Sequence, residues 1–322
     1  MRIHFLRTLE DDQLKYLQSL LEVDVEISSG DIQTKLSNTR ILIAGRPSQK
    51  HLEFIPDLET LIIPWTGIPE TTAQVLANFP EIKVHNLHHN SASTAELAIA
   101  LLLTIAKQII PFDGALRQGN WQPRYQKSET VLLAGKNALL MGYGEIGKLI
   151  KQGLDGLGMN VKVIRRSIDQ NDPNLICNSP EMLHQLLPEI DILMLALPLT
   201  DETEDLIGEK EFSLMPSSGI LINISRGKIV NQAALYQALK EHKIYGAGLD
   251  VWYNYPDSEK SRDNTFPGDY PFHELDNLVL SPHRGGLVLE TEELRMRDLA
   301  RLITAAARGD EIPNRVNLDL GY

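Results

Sequence analysis

The chain has 322 residues, enough for about two domains, and its 43% hydrophobic and 23% charged residues exclude extended disorder. Acidic residues outnumber basic ones by 43 to 31, and the net charge of −12 excludes a broad nucleic-acid surface. Cys177, the only cysteine, excludes an internal disulfide, and no apolar run reaches the ~18 residues of a membrane span.

Short apolar runs alternate with helical periods from the start. Residues 3–6, 41–44, 61–63 and 83–87 read as strands. Between them the segment 11–21 places Leu14, Leu17 and Leu21 on one helical face. Residues 93–110 break the rhythm: Ser93 is placed to cap a helix, Glu96 completes a capping box, and the apolar helix is expected to end before Pro111. A polar stretch covers 117–129. Strands then recur at 137–141, 161–164, 190–195, 219–223, 245–249 and 278–280, with helices near 147–157, 180–187, 209–214 and 231–242. A last long helix near 290–308 carries Leu294, Leu299, Leu302 and Ile303. The alternation predicts α/β architecture, with doubly wound parallel sheets covered on both faces. The start, Met1-Arg2-Ile3-His4, has no secretory pattern, so a cytoplasmic protein without a membrane partner is expected.

Gly142-Tyr143-Gly144-Glu145-Ile146-Gly147 follows the strand 137–141 directly, and Ile150, Leu154 and Leu157 then mark one face of a helix. The first glycine permits a tight turn, the second lets a pyrophosphate approach the backbone, and the third lets the helix pack on the strand. The free N–H groups of the helix start face the phosphates. Strand, loop and helix in this order predict a dinucleotide site. The next strand of such a unit ordinarily ends in an acid that holds the ribose hydroxyls of NAD. Here it ends in Arg165-Arg166-Ser167. A guanidinium pairs with the ribose 2′-phosphate that a carboxylate would repel, so NADP is expected, with NAD the alternative.

Ligands of open parallel sheets bind beyond the carboxyl ends of the strands. Arg226 and His283 stand at two such ends. Hydride transfer to a carbonyl needs an acid–base that titrates near neutrality and a fixed cation, roles suited to His and Arg. From position alone, both are equally well read as ordinary loop residues.

Several further motifs occur in order. They are Asn90-Ser91-Ala92-Ser93-Thr94-Ala95-Glu96, Gly119-Asn120-Trp121, Gly135-Lys136 before the glycine loop, Ala196-Leu197-Pro198-Leu199-Thr200 with Thr203, Asn223 to Val230, Gly248-Leu249-Asp250-Val251, and Ser281-Pro282-His283. Together they resemble the D-isomer-specific 2-hydroxyacid dehydrogenases over most of the chain. That resemblance implies a Rossmann-type nucleotide-binding domain, 93–289, inserted in a discontinuous flavodoxin-like substrate domain, 1–92 with 290–322. The helices 93–110 and 290–308 are then the paired crossings between domains. It implies His283 as proton donor and Arg226 as the group that binds the substrate carbonyl or carboxylate. Asn90 is placed near cofactor and substrate, Leu197, Pro198 and Thr203 along the cofactor, and Asp250 on the nicotinamide amide. The backbone around Trp65-Thr66-Gly67-Ile68 is implied to hold the substrate carboxylate, although this loop matches the family's glycine-rich version poorly. Arg284, beside His283, is a candidate second anion contact. A homodimer through the nucleotide-binding domain is also implied. No metal is expected, because His85, His88 and His89 match no ligand spacing.

One departure stands out. Many members carry a Glu before a Pro, five residues after the Asp matched by Asp250, and pair it with the histidine. Here that position is Tyr255, before Pro256. A carboxylate would raise the histidine pKa and orient its ring, whereas a phenol is neutral. Three arrangements are open: Asp257 or Glu259 of the polar loop 254–271 reaches back, His283 works at a lower pKa, or turnover is lost. The expected activity is reduction of a small 2-keto acid, with glyoxylate and hydroxypyruvate as candidates, to a D-2-hydroxy acid by NADPH. The alternatives are a nucleotide-sensing, corepressor-like binding module and a phosphite- or formate-type dehydrogenase.

Overall fold

The computed structural model describes residues 1–165, 175–177 and 180–318, apart from the side chains of 175–177, 180 and 181. Its internal contacts divide the chain into two units, Met1–Asn90 with Leu287–Tyr322, and Ser91–Gly286.

The first unit is built on five strands: β1 (Arg2–Phe5), β2 (Glu26–Ser29), β3 (Thr39–Ile43), β4 (Thr60–Ile63) and β5 (Lys83–Asn86). They form one parallel sheet in the order β2-β1-β3-β4-β5. Successive side chains point to opposite faces, so each central strand feeds two cores. Ile3, Phe5, Ile41, Ile43 and Ile62 pack with Leu17 and with Met296, Leu299, Leu302 and Ile303 of the helix Thr291–Arg308. Leu42, Leu61, Ile63 and Val84 pack on the other face with Leu52, Leu76 and Val316.

Among the described residues the second unit holds seven strands: β6 (Asn137–Met141), β7 (Asn160–Arg165), β8 (Leu175–Cys177), β9 (Ile192–Leu195), β10 (Ile220–Asn223), β11 (Gly246–Leu249) and β12 (Leu278–Leu280). All pair in parallel, in the order β12-β11-β10-β9-β6-β7-β8. One face carries Leu140, Val163, Ile192, Met194, Ile220 and Ile222 under the helices Ser91–Ala106 and Glu145–Gly156. The other carries Leu139, Met141, Leu193, Leu195, Leu221 and Leu249. From β6 the chain winds outward to β7 and β8, then returns to β9 on the far side of β6. That reversal is the switch point where ligands bind in such sheets. Met141 lies opposite Leu195, Leu195 opposite Asn223, Asn223 opposite Leu249, and Leu249 opposite Leu280. Five strands therefore end level, and the loops that follow them emerge side by side.

Two expectations need correction. The apolar helix runs from Ser91 to Ala106, so Ser93 is a buried residue of its first turn and not its cap. Gln108 takes a left-handed φ of 51°, and a second helix, Ile109–Arg117, starts there, bent by 63° from the first. Pro111 is thus not a stop. It lies in the first turn, where its missing N–H has no intrahelical acceptor to lose. The strands β2 and β8 add to those expected from apolar runs. No single helix among the described residues is long and apolar enough to cross a membrane.

Candidate active site

The glycine loop follows β6 as expected. Gly142 has a φ of 98°, and a Cβ there would stand 2.3 Å from the Ala196 carbonyl oxygen, so only glycine fits. A Cβ on Gly147 would meet the Gly142 carbonyl oxygen at 2.3 Å, which reflects how tightly the helix start packs on the loop. Gly144 contrasts with both: a Cβ there would meet nothing within 4 Å. It caps the helix Glu145–Gly156, whose first N–H groups are free of intrahelical bonds. Open space over a helix start with no side-chain cap fits a pyrophosphate. Tyr143 and Ile146 are half-buried, while Glu145 is exposed and pairs with Lys148 at 2.7 Å. Arg165 is the half-exposed last residue of β7. Arg166 and Ser167 lie outside the described residues.

After β9, the Leu197 N–H donates to Ser225 Oγ at 3.0 Å. Thr203 is buried, and its hydroxyl donates to the Pro198 carbonyl at 2.7 Å while accepting the Thr200 N–H at 2.8 Å. Thr203 therefore shapes the 197–203 turn from within. After β10, Asn223 braces the next turn: its Oδ1 accepts the Ser225 N–H, and its Nδ2 donates to the Arg226 carbonyl. Arg226 Nη1 donates to the Ser225 carbonyl at 2.6 Å. The guanidinium is reached by solvent, yet enough protein surrounds it that desolvation lowers its pKa from the usual 12.5.

Asp250, the first residue after β11, is buried to 2% exposure. Its Oδ1 accepts from Ser281 Oγ at 2.5 Å and from the Arg284 N–H at 2.7 Å. Its Oδ2 accepts the Gly285 N–H at 2.8 Å. The carboxylate thus organises the loop that carries His283, a placement that a role on the cofactor alone does not predict. Trp252 adds a fourth tie, its indole N–H donating to the Ser281 carbonyl at 2.7 Å. These ties hold His283 at a φ of 57°, a conformation that side chains other than glycine seldom adopt. Arg284 contributes its backbone to this network, and its side chain is exposed.

His283 Nδ1 lies 3.0 Å from Tyr255 Oη, which also accepts the Trp252 N–H at 3.1 Å. Neither Asp257 nor Glu259 of the polar loop fills the family's carboxylate position. Asp257 accepts from Ser261 at 2.8 Å, and Glu259 pairs with Arg262 at 3.0 Å. The loop turns away because Tyr253 and Asn254 both donate to the Pro267 carbonyl, and Phe272, fully buried, packs on Tyr253 and Trp252. Desolvation, then the Arg226 charge, lower the His283 pKa from 6.5, against an opposing pull from Asp250. The Tyr255 phenol is raised above 10 by desolvation and stays neutral.

The remaining candidates belong to the first unit. Thr66 Oγ1 donates to Asn90 Oδ1 at 2.6 Å, and Asn86 Nδ2 donates to the Thr66 carbonyl at 2.7 Å. Trp65 lays its ring directly over Gly45, where a Cβ would stand 1.8 Å from the indole. Gly67 follows, half-buried. His85 Nδ1 is bonded to the Pro313 carbonyl, and among the described residues no three His, Cys, Asp or Glu side chains converge on a metal site. Sequence reasoning missed Asn223, Ser225 and Ser281 as braces. Their signal is slight: small polar residues at the carboxyl ends of apolar strands.

The profile of the D-isomer specific 2-hydroxyacid dehydrogenase NAD-binding domain matches residues 99–285. A glyoxylate reductase of Thermococcus litoralis is 36% identical over 233 residues, which cover 71% of this chain and 67% of that one. Another glyoxylate reductase, from Pyrococcus furiosus, is 29% identical over 99% of this chain and 96% of its own. A D-isomer-specific 2-hydroxyacid dehydrogenase of Xanthobacter autotrophicus shares the fold with a TM-score of 0.81 and 22% identity, over 100% of this chain and 99% of that one.

Proposed function

The chain belongs to the D-isomer-specific 2-hydroxyacid dehydrogenases, NAD(P)-dependent oxidoreductases, and on that premise we propose that it reduces glyoxylate or hydroxypyruvate with NADPH. The product is the 2-hydroxy acid, of D configuration where the carbon is chiral. The observation that carries this reading is the placement of Arg226 and His283, each three residues beyond the end of a strand, on β10 and β12, whose ends are level through β11.

When bound, the nicotinamide supplies the hydride that adds to the carbonyl carbon. Arg226 polarises the carbonyl oxygen or holds the carboxylate, and its charge opposes the negative charge that develops on oxygen. His283 gives that oxygen a proton from Nε2. Asp250 keeps the His283 loop in place. Residues Gly142 to Gly147 hold the pyrophosphate, with Leu197, Pro198 and Thr203 forming the turn beside it. Arg165 and Arg166 favour the 2′-phosphate of NADP.

A second copy of this chain is the partner we propose. The helix Ile109–Arg117 has no buried residue, and Ile109, Ile110 and Leu116 are each about half exposed. Farther along the chain Trp121, Tyr125 and Leu132 are also exposed, at 61%, 76% and 68%. Exposed apolar side chains of this size are what a homodimer of the nucleotide-binding unit would cover.

The test is a panel of 2-keto acids with NADPH, run beside His283→Ala and Arg226→Ala. Turnover of glyoxylate or hydroxypyruvate that both variants lose supports the reading. Tight cofactor binding with no turnover on any acid points to a nucleotide sensor.

A further inference from the structure

Taking His283 as the acid–base of that reaction, we infer that Tyr255 positions its ring and fixes which nitrogen carries the proton, donating a hydrogen bond where a carboxylate could only accept one. The Trp252 N–H is a donor and nothing else, so it occupies a lone pair of Tyr255 Oη. The phenol keeps one hydrogen and a second lone pair. Among the described residues, Nδ1 of His283, 3.0 Å away, is the acceptor that hydrogen has. With Tyr255 donating to Nδ1, the proton of a neutral imidazole sits on Nε2.

The same phenol serves the charged ring. Both nitrogens then carry hydrogen, and Tyr255 turns its own hydrogen aside and accepts the Nδ1–H on its second lone pair. The Trp252 bond is unchanged in both states. A carboxylate at this position accepts from Nδ1–H in either state and leaves the neutral ring with its lone pair on Nε2. The two partners therefore prepare opposite tautomers.

The consequence falls differently on the two directions of reaction. In reduction, the charged ring gives its Nε2 proton to the oxygen and keeps the Nδ1 proton, which is hydrogen-bonded to the Tyr255 oxygen. Exchange with solvent protons then returns the neutral ring to its Nε2–H form. Above the His283 pKa, the neutral ring still points an N–H at the carbonyl. Oxidation of a hydroxyl needs a bare Nε2, which this tautomer does not offer. The charged groups that act on the ring are Arg226 after β10 and Asp250 after β11, while Arg284, next to it in sequence, turns its side chain to solvent. None is a carboxylate in contact with Nδ1. The resting tautomer is therefore set by Tyr255.

Nitrogen-15 spectra of histidine-labelled protein read the tautomer directly, with His283 assigned by its loss in His283→Gln. At pH 7.5 the wild type is expected to show the Nε2–H form, Tyr255→Glu the Nδ1–H form, and Tyr255→Phe a mixture. In keto-acid reduction, Tyr255→Glu should move the alkaline limb of kcat/KM up by about one pH unit. Tyr255→Phe should lower kcat about tenfold without that shift, the loss of one hydrogen bond. An Nδ1–H form in the wild type, or a Tyr255→Phe spectrum equal to the wild type, overturns the inference. The spectra need no substrate, so they decide the question even if no keto acid is turned over, a result that would instead overturn the proposed activity.

Discussion

Gly285 donates its N–H to Asp250 Oδ2 at 2.8 Å from a position where a Cβ would stand 2.9 Å from the same oxygen. The bond and the lack of a side chain go together: a larger residue would push away the carboxylate that holds the loop. Asp250→Asn places an amide N–H where one of three donors now finds an acceptor. We expect a stability loss of about 1–3 kcal/mol from the unpaired donor. A loop shifted by an ångström should lower kcat about a hundredfold. Denaturant melts and steady-state kinetics check both, and an active, fully stable variant would contradict this role.

Cofactor choice should follow Arg165. If Arg165 holds the 2′-phosphate as proposed, Arg165→Ala removes a charge-assisted bond worth roughly 1.5–3 kcal/mol. The kcat/KM for NADPH should fall at least about tenfold, while that for NADH changes little. An equal loss with both cofactors would show that Arg165 does not read the phosphate.

Acid stability should depend on His89. Burial, then the Arg295 charge, push its pKa down to about 4 from 6.5. Above pH 6.5 the residue is neutral whether folded or not, and its contribution is complete. Between 6.5 and 4 the unfolded chain binds a proton that the folded one refuses, so stability falls as pH falls, and below 4 the loss levels off. His89→Gln should flatten this part of the Tm profile. Parallel profiles for wild type and variant would rule the histidine out.

The exposed helix offers a test of assembly. Ile110→Glu with Leu116→Glu charges a surface that a second copy would bury. Light scattering should show a dimer for the wild type and a monomer for the double variant, with cofactor binding retained. A monomeric wild type would remove the reason for the surface.

Much of the site is legible because strand ends are legible. Apolar runs such as Ile220 to Asn223 stop abruptly, and level registers turn those stops into neighbours. The glycine loop is legible for a similar reason, since its chemistry is local. Asp250 is different: its partners lie 31 to 35 residues away, and nothing near it in sequence announces them. Tyr255 reads as a missing acid, and only the fold shows its hydroxyl between Trp252 and His283. The strands β2 and β8 escape notice because Glu-Ile-Ser-Ser and Leu-Ile-Cys are too short for a clear period. The break at Gln108 has no marker, since glutamine is not a residue that ordinarily takes the left-handed conformation seen there.

The first unit draws its core from two stretches separated by the whole of the second. Ile3, Phe5 and Ile41 are synthesised early, yet the helix that covers them, Thr291–Arg308, leaves the ribosome after β12. The nucleotide-binding unit can close as it emerges, while the strands that precede it keep an apolar face open until Thr291–Arg308 has been translated. Completion of the first unit's core therefore waits on a helix that follows the whole second unit in the sequence, and an apolar face left open for that interval is a site for aggregation and for chaperones.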